Sequence, residues 1–128
     1  NLSWDLFLPA VSVGLLSVGV LNINNMRDKE SDESTGKRTL VVLLGDPRSR
    51  YYHVLLIAMA FVSGILFAMV HFHSAYQFLF MFSLLPLIRH IHFVLHNQHP
   101  QLLDPQLKVL SMSTLLFSLL FGVGFLLG

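Results

Sequence analysis

Two carboxylates and an amide recur at helical spacing in the most charged stretch of the 128-residue chain. Asn25, Asp28 and Asp32 stand at positions i, i+3 and i+7. They share one face if the stretch from Asn22 to Glu33 is a helix. Oxygen ligands of this kind suit Mg²⁺, which commonly binds through one or two carboxylates together with substrate phosphates. The spacing therefore predicts a magnesium site, and a solvated charged loop is the alternative explanation of the same residues.

A short turn with two cations follows these carboxylates. Gly36 can end a helix and reverse the chain, and Lys37 and Arg38 come directly after it. Arginine binds an anion through a forked pair of N–H groups, and lysine binds it as a point charge. Together with the carboxylates, this turn predicts a site for a metal-bound diphosphate. A Walker A phosphate loop is excluded, since its first glycine would stand where the chain has Ser31.

The overall composition is that of a membrane protein. The chain is 54% hydrophobic and only 12% charged, with a mean hydropathy of +0.66, whereas soluble domains carry about 25% charged residues. The formal net charge of +1 argues against a nucleic-acid partner. The absence of cysteine excludes disulfide scaffolds and thiolate zinc sites. We therefore expect an integral membrane protein that does not bind nucleic acid.

Four apolar stretches of the chain must position the charged segment. Each is compared with the length of about 20 apolar residues that a helix needs to cross a bilayer core. The third stretch contains Pro86, which should kink it. Asp46-Pro47 and Asp104-Pro105 predict helix starts, with the aspartate as N-cap. The chain is thus expected to be a single all-α transmembrane domain, residues 1–128, with spans near 6–23, 54–70, 74–95 and 109–128 and a site segment at 24–53.

Basic residues predict the orientation of these spans. Six of the eight Lys and Arg residues lie between the first and second spans. We place Arg89, at the cytoplasmic end of the third span, and Lys108 with the connection between the third and fourth spans, whereas residues 71–73 have no Lys or Arg. The positive-inside rule then puts the first and third connections, and with them the site, in the cytoplasm.

The histidines invite a metal-site hypothesis that the sequence does not favour. Each lies near a predicted span end, no cysteine accompanies them, and no H-E-x-x-H motif is present. We therefore expect interfacial side chains rather than transition-metal ligands. The seven are His53, His71, His73, His90, His92, His96 and His99.

The carboxylate segment also resembles a known family pattern. Asn25, Asp28 and Asp32 form N-x-x-D-x-x-x-D, and G-K-R-T-L follows at residues 36–40. This combination is similar to the second aspartate-rich motif of the UbiA-type intramembrane prenyltransferases. With Leu103–Lys108, which reads L-D-P-Q-L-K, it most resembles the branch of that family that acts on 1,4-dihydroxy-2-naphthoate.

The resemblance implies a nine-helix membrane fold, of which this chain would be the carboxy-terminal half, from the sixth helix to the ninth. The amino-terminal half, which carries the first aspartate-rich motif in that family, would be a partner. We therefore expect this chain alone to be incomplete and inactive. The implied location is the bacterial inner (plasma) membrane, as a multi-pass protein whose site faces the cytoplasm.

The activity implied by the resemblance is Mg²⁺-dependent transfer of a polyprenyl group from polyprenyl diphosphate to 1,4-dihydroxy-2-naphthoate, giving demethylmenaquinone. Asp28 and Asp32 would bind Mg²⁺ and be catalytic. Arg27 is the least direct diphosphate contact, since an ideal helix points it about 100° away from Asp28. Two alternatives remain open: a non-catalytic membrane module, and the same family acting on another acceptor such as 4-hydroxybenzoate. The residues implied to contact the diphosphate are Lys37, Arg38, Asn25 and Arg27.

Overall fold

Helices dominate this protein because a chain within a bilayer must satisfy its backbone hydrogen bonds internally. The computed structural model describes residues 3–128, and within that range every regular element is helical. Four helical stretches are long and apolar enough to cross a membrane, which confirms the predicted all-α bundle of four spans. They are Trp4–Arg27, Asp46–Val70, Ala75–His96 and Pro100–Leu127.

Both α-helices and 3-10 segments build these stretches in the described part of the chain. Two short helices, Lys29–Ser34 and Leu40–Leu44, lie between the first two spans, in the segment expected to carry the site. The α-helices are α1 (Phe7–Arg27), α2 (Lys29–Ser34), α3 (Leu40–Leu44), α4 (Asp46–Val70), α5 (Leu84–His96) and α6 (Asp104–Leu127). The 3-10 segments are Trp4–Leu6, Ala75–Ser83 and Pro100–Leu103.

The central helix of the bundle is α4. Half of its most apolar stretch is buried (50%), against 22–28% for the other three spans. It packs along α1, and Leu16, Ile57 and Phe117 fill the core between α1, α4 and α6. The backbones of α6 and the third span also pack closely, since a Cβ at Gly124 of α6 would clash with the carbonyl oxygen of Tyr76. The three outer spans therefore keep much apolar surface exposed.

The third span winds as a 3-10 helix before it becomes α-helical. Ser74 caps its start, with its Oγ accepting from the N–H of Tyr76 at 3.1 Å and its own N–H donating to Gln77 Oε1 at 3.2 Å. The α-helix begins at Leu84, within the turn before Pro86. A proline removes one backbone hydrogen bond from the preceding turn. The change from 3-10 to α-helical winding thus lies two residues before Pro86, and the predicted kink stays a prediction.

Helices begin at both Asp-Pro pairs, but the predicted N-cap role of the aspartates is wrong. Asp46 and Asp104 are the first residues of α4 and α6, and neither makes a capping bond. Their carboxylates instead accept hydrogen bonds from arginines: Asp46 Oδ2 from Arg50 Nε at 3.2 Å, and Asp104 from Arg27. A hydrogen bond between two charged groups is stronger than one to a neutral backbone amide.

Two basic residues also lie elsewhere than predicted. Arg89 and Lys108 belong to α5 and α6 themselves, and the connection between these helices holds neither. Both side chains are exposed on the outside of the bundle.

A chain of buried polar side chains crosses the bundle. Asn22 Nδ2 donates to His53 Nδ1 at 3.2 Å, and His53 Nε2 lies 2.8 Å from His90 Nε2. His90 Nδ1 lies 2.8 Å from Gln106 Oε1. Because an amide oxygen only accepts, His90 carries its proton on Nδ1, and His53 Nε2 donates to His90. The chain thus links α1, α4, α5 and α6.

The interfacial prediction is therefore wrong for His53 and His90, which are 0% and 1% exposed. A histidine ring can be buried without a large cost when both of its nitrogens have hydrogen-bond partners. The other five histidines are exposed or half-buried.

Candidate functional site

The site segment begins where α1 ends. We predicted one helix over Asn22–Glu33, but the structure divides it at Asp28, whose φ of −94° and ψ of 9° depart from helical values. Hydrogen bonds still cross the division, from Asp28 N to Asn24 O at 3.1 Å and from Asp32 N to Asp28 O at 2.9 Å. Asp28 and Asp32 therefore remain one turn apart, although the helix is locally unwound.

Arg27 binds three side chains at this point. Its Nε and Nη2 donate to the two carboxylate oxygens of Asp28 at 2.8 and 3.2 Å, and Nη2 also donates to Asn24 Oδ1 at 2.8 Å. Its Nη1 donates to Asp104 Oδ1 at 2.5 Å, which ties the end of α1 to the start of α6. These bonds use all but one of the N–H groups of the guanidinium.

The contact with Arg27 also determines the ionisation of Asp28. Hydrogen bonds from the guanidinium, together with its charge, hold the pKa of the Asp28 carboxyl below its ordinary value. The Asp28 side chain is 37% exposed. An ionised carboxylate with this exposure can still offer its free lone pairs to a cation from solvent.

Asp32 faces the turn that follows α2. Gly36 reverses the chain with a φ of +77°, a conformation that favours glycine. The N–H of Lys37 then donates to the carbonyl of Asp32 at 2.8 Å, and its Nζ lies 3.5 Å from Asp32 Oδ1. Asp32 is only 8% exposed, and its Oδ2 has no hydrogen-bond partner in the described part of the chain.

An unpartnered, buried carboxylate oxygen is unfavourable unless something binds it. Asp32 Oδ2 is therefore the atom of this segment with the strongest need for a ligand. The one-turn spacing and the all-oxygen donor set of Asp28 and Asp32 fit a hard cation such as Mg²⁺. Within residues 3–128 no group of three or more His, Cys, Asp or Glu is arranged to hold a metal. Water or substrate oxygens would have to complete the coordination.

The other predicted site residues contact neither carboxylate. Asn25 is half-buried and lines a shallow groove with Leu40 and Tyr52, between α1 and the start of α4. Arg38 is exposed, and among residues 3–128 it makes no ion pair. The structure thus pairs Arg27 with Asp28 and Lys37 with Asp32. Asn25 and Arg38 are not brought into contact with either carboxylate.

The sequence pattern did not point to Asn24 or Asp104 as parts of this site. Asn24 neighbours the recognised Asn25, and Asp104 was assigned only to a helix start. Both act through Arg27, and the carboxylate of Asp104 comes from 77 positions further along the chain. A clue was present in Leu103–Lys108, which contributed to the family resemblance.

Comparison with known proteins shows the family of this chain. Residues 1–112 match the UbiA prenyltransferase family. This chain belongs to the UbiA prenyltransferase family. It is 42% identical over 123 residues to the 1,4-dihydroxy-2-naphthoate octaprenyltransferase of Haemophilus influenzae. It is 39% identical over 122 residues to the protein of the same name from Escherichia coli. No solved structure matches the chain significantly.

These UbiA relatives are much longer than the chain. The alignments cover 96% and 95% of this chain but only 40% of each relative. The chain thus spans about 40% of the length of these relatives, and it carries the Asp28–Asp32 segment together with its cationic turn.

Proposed function

We propose that the protein containing this chain transfers a polyprenyl group from polyprenyl diphosphate to 1,4-dihydroxy-2-naphthoate, a step of menaquinone biosynthesis. Two relatives at about 40% identity bear the name of that activity. The observation that carries the proposal is the buried, unpartnered Oδ2 of Asp32, one helical turn from Asp28 and opposite Lys37. This arrangement supports a cation held between the protein and a diphosphate.

The residues have distinct proposed roles. Asp28 and Asp32 would hold Mg²⁺, which would neutralise charge on the diphosphate when bound. Lys37 and Arg38 contact the diphosphate oxygens, and Asn25 assists from the adjacent groove. We assign Arg27 to orienting the Asp28 carboxylate, because one remaining N–H leaves it little capacity to bind the substrate. We propose these roles for six residues: Asn25, Arg27, Asp28, Asp32, Lys37 and Arg38.

The chemistry requires charge stabilisation at the leaving group. The allylic C–O bond breaks, and its electron pair leaves with the diphosphate, whose developing charge the cationic side chains stabilise. The ring carbon that bears the carboxylate forms the new C–C bond. Loss of carbon dioxide returns an electron pair to the ring, which yields the reduced form of demethylmenaquinone. The apolar spans keep water away from the allylic cation.

The charge distribution supports a proposed location for the site. Six of the eight Lys and Arg residues lie within residues 27–50, from the end of α1 to the second turn of α4. This concentration of positive charge supports a cytoplasmic site segment. We propose that the protein resides in a bacterial inner membrane. The remaining part of the protein, equivalent to the uncovered 60% of its relatives, would supply the other aspartate-rich motif, and this chain alone would be inactive.

Substitution of the two carboxylates in the full-length enzyme tests the proposal. Asp28→Asn and Asp32→Asn keep the side-chain size and remove the charge. Each should lower the rate of prenyl transfer roughly a hundredfold or more. At about 1.4 kcal/mol per tenfold, this is a loss of about 2.8 kcal/mol or more of transition-state stabilisation. The measurement is initial rate with polyprenyl diphosphate, 1,4-dihydroxy-2-naphthoate and varied Mg²⁺, and higher Mg²⁺ should restore part of the rate.

Glu30 and Glu33 provide matched controls, since both are exposed carboxylates on the same short helix. Glu30→Gln and Glu33→Gln should change the rate little. Equal, mild effects of all four substitutions would show that the segment is a solvated charged loop and would refute the proposed site.

A further inference from the structure

A groove on the outside of the bundle runs between α5 and α6. Its walls are Pro86 of α5 and, from α6, Met112 and Leu116, with Pro105 and Lys108 at the end nearest the site segment. Its lining is otherwise almost entirely apolar, and its volume of about 600 Å³ is large enough for an acyl chain. None of its residues belongs to the Asp28–Asp32 segment.

A second cation lies in an adjoining recess that shares Pro86 with this groove. Arg89 shares a recess with Pro86 and Leu85 on the outer face of α5. The hydrogen bond between His90 and Gln106 sets the height of α5 against α6. Arg89 and Lys108 are close neighbours of these two residues in sequence and therefore lie at nearly the same level. Lys108 thus lies on the α6 wall of the groove, and Arg89 lies beside it on α5, one turn from the shared Pro86.

Neither cation has a negative partner within residues 3–128. Arg89 and Lys108 make no ion pair there, and Asp104, the acid nearest to Lys108 in sequence, is bound by Arg27. Arg89 stands two turns inside the end of α5, about 10 Å along the helix axis at 1.5 Å per residue. An exposed arginine at that depth in an apolar span needs an anion or a path to the interface.

We propose that this groove binds an anionic phospholipid. The phosphate lies between the Arg89 guanidinium and the Lys108 ammonium, and an acyl chain lies along Pro86, Met112 and Leu116. Basic pockets between membrane helices bind anionic headgroups because the surrounding low dielectric strengthens the attraction. A zwitterionic lipid would bring its own cation to the same place and bind less well. The inference is independent of the proposed prenyl transfer, and it requires that this face of α5 and α6 meet lipid in the whole protein.

Retention of lipid by the full-length protein tests the inference. The protein is purified from vesicles that contain equal amounts of phosphatidylglycerol and phosphatidylcholine, and bound lipids are counted by native mass spectrometry. The wild type should retain phosphatidylglycerol preferentially. The double variant Arg89→Gln, Lys108→Gln should lose that preference by roughly tenfold, the loss expected when two charge contacts to a phosphate are removed.

Two further variants separate charge from shape. Arg48→Gln removes an exposed cation on α4, outside the groove, and should leave the preference unchanged. Met112→Trp should reduce retention of both lipids by filling the groove while both cations remain. The exchange Arg89→Lys, Lys108→Arg keeps both charges, should keep the preference, and shows whether loss in the Gln variants reflects charge rather than misfolding.

Two outcomes would overturn the inference. Equal retention of the two lipids by the wild type would show that the cations do not select a headgroup. An unchanged preference in the Gln double variant would place the anionic lipid elsewhere on the protein.

Discussion

Arg27 shows how one residue can determine the properties of its neighbour. It holds both oxygens of Asp28 and, through Asp104, ties that carboxylate to a second span. Such paired hydrogen bonds fix the orientation of a carboxylate as well as its charge. The unwound backbone at Asp28 allows this contact between adjacent residues, which an ideal helix would point apart.

The lowered pKa of Asp28 leads to a prediction about pH. Its folded-state pKa lies below the ordinary value because Arg27 stabilises the ionised form, so the ionised form persists until the pH falls through that lowered pKa. Arg27→Gln removes the stabilising charge and should raise the pKa of Asp28. The acidic limb of the rate-against-pH profile of the full-length enzyme should then move to higher pH.

Asp104→Asn is the matched control for this experiment. It weakens the link between α1 and α6 but leaves the paired contact of Arg27 with Asp28 in place, so the acidic limb should move much less. An acidic limb that is the same in Arg27→Gln and in the wild type would contradict the role assigned to Arg27.

The elements of the bundle are joined by the buried chain Asn22–His53–His90–Gln106. Each side chain comes from a different span, and each nitrogen of the two rings has a partner. Hydrogen bonds between membrane helices add modest stability, but an unpaired polar group in this interior is costly. These side-chain hydrogen bonds therefore favour one rotation of each span about its axis and one height of each span in the bundle.

Breaking this row of buried hydrogen bonds should destabilise the protein. His90→Leu leaves the His53 N–H and the Gln106 oxygen without partners and should lower the free energy of unfolding by about 1–3 kcal/mol. The measurement is thermal unfolding of the full-length protein in detergent. His92→Leu is the control, since His92 is an exposed residue of the same helix. A similar loss in both variants would contradict a specific role of the buried chain.

The whole molecule has two ends of different character. The ends of α1 and α5 and the starts of α4 and α6 meet near the charged segment, whereas residues 71–74 turn at the opposite end. A positive-inside orientation puts the charged end in the cytoplasm. Cysteine accessibility in intact cells tests this orientation against the reverse one.

We predict that a cysteine in place of Ser34 reacts with a membrane-impermeant reagent only after the cells are opened. A cysteine in place of His73 should react in intact cells. Both positions are exposed, and this chain contains no cysteine of its own, so any others in the full-length protein are first replaced. The reverse pattern of labelling would place the site segment outside the cell.

Much of this architecture was predictable from the sequence because it depends on local properties. The lengths of the apolar runs determine the four spans, Asp-Pro pairs mark helix starts, and Gly36 supplies the turn before Lys37. The spacing of Asp28 and Asp32 already implies one helical turn between them, and the local unwinding at Asp28 does not remove that relation. The same short motif carries the resemblance to the UbiA family.

Only the tertiary structure decided which distant residues meet. Arg27 binds Asp104, 77 positions away, and His53 meets His90, 37 positions away. These contacts depend on the rotation and height of each span within the bundle. A membrane span is apolar on almost every side, so no hydrophobic stripe marks its buried face. The pattern that predicts the number and length of the spans therefore carries little information about their rotation, which is settled by close packing and buried hydrogen bonds between them.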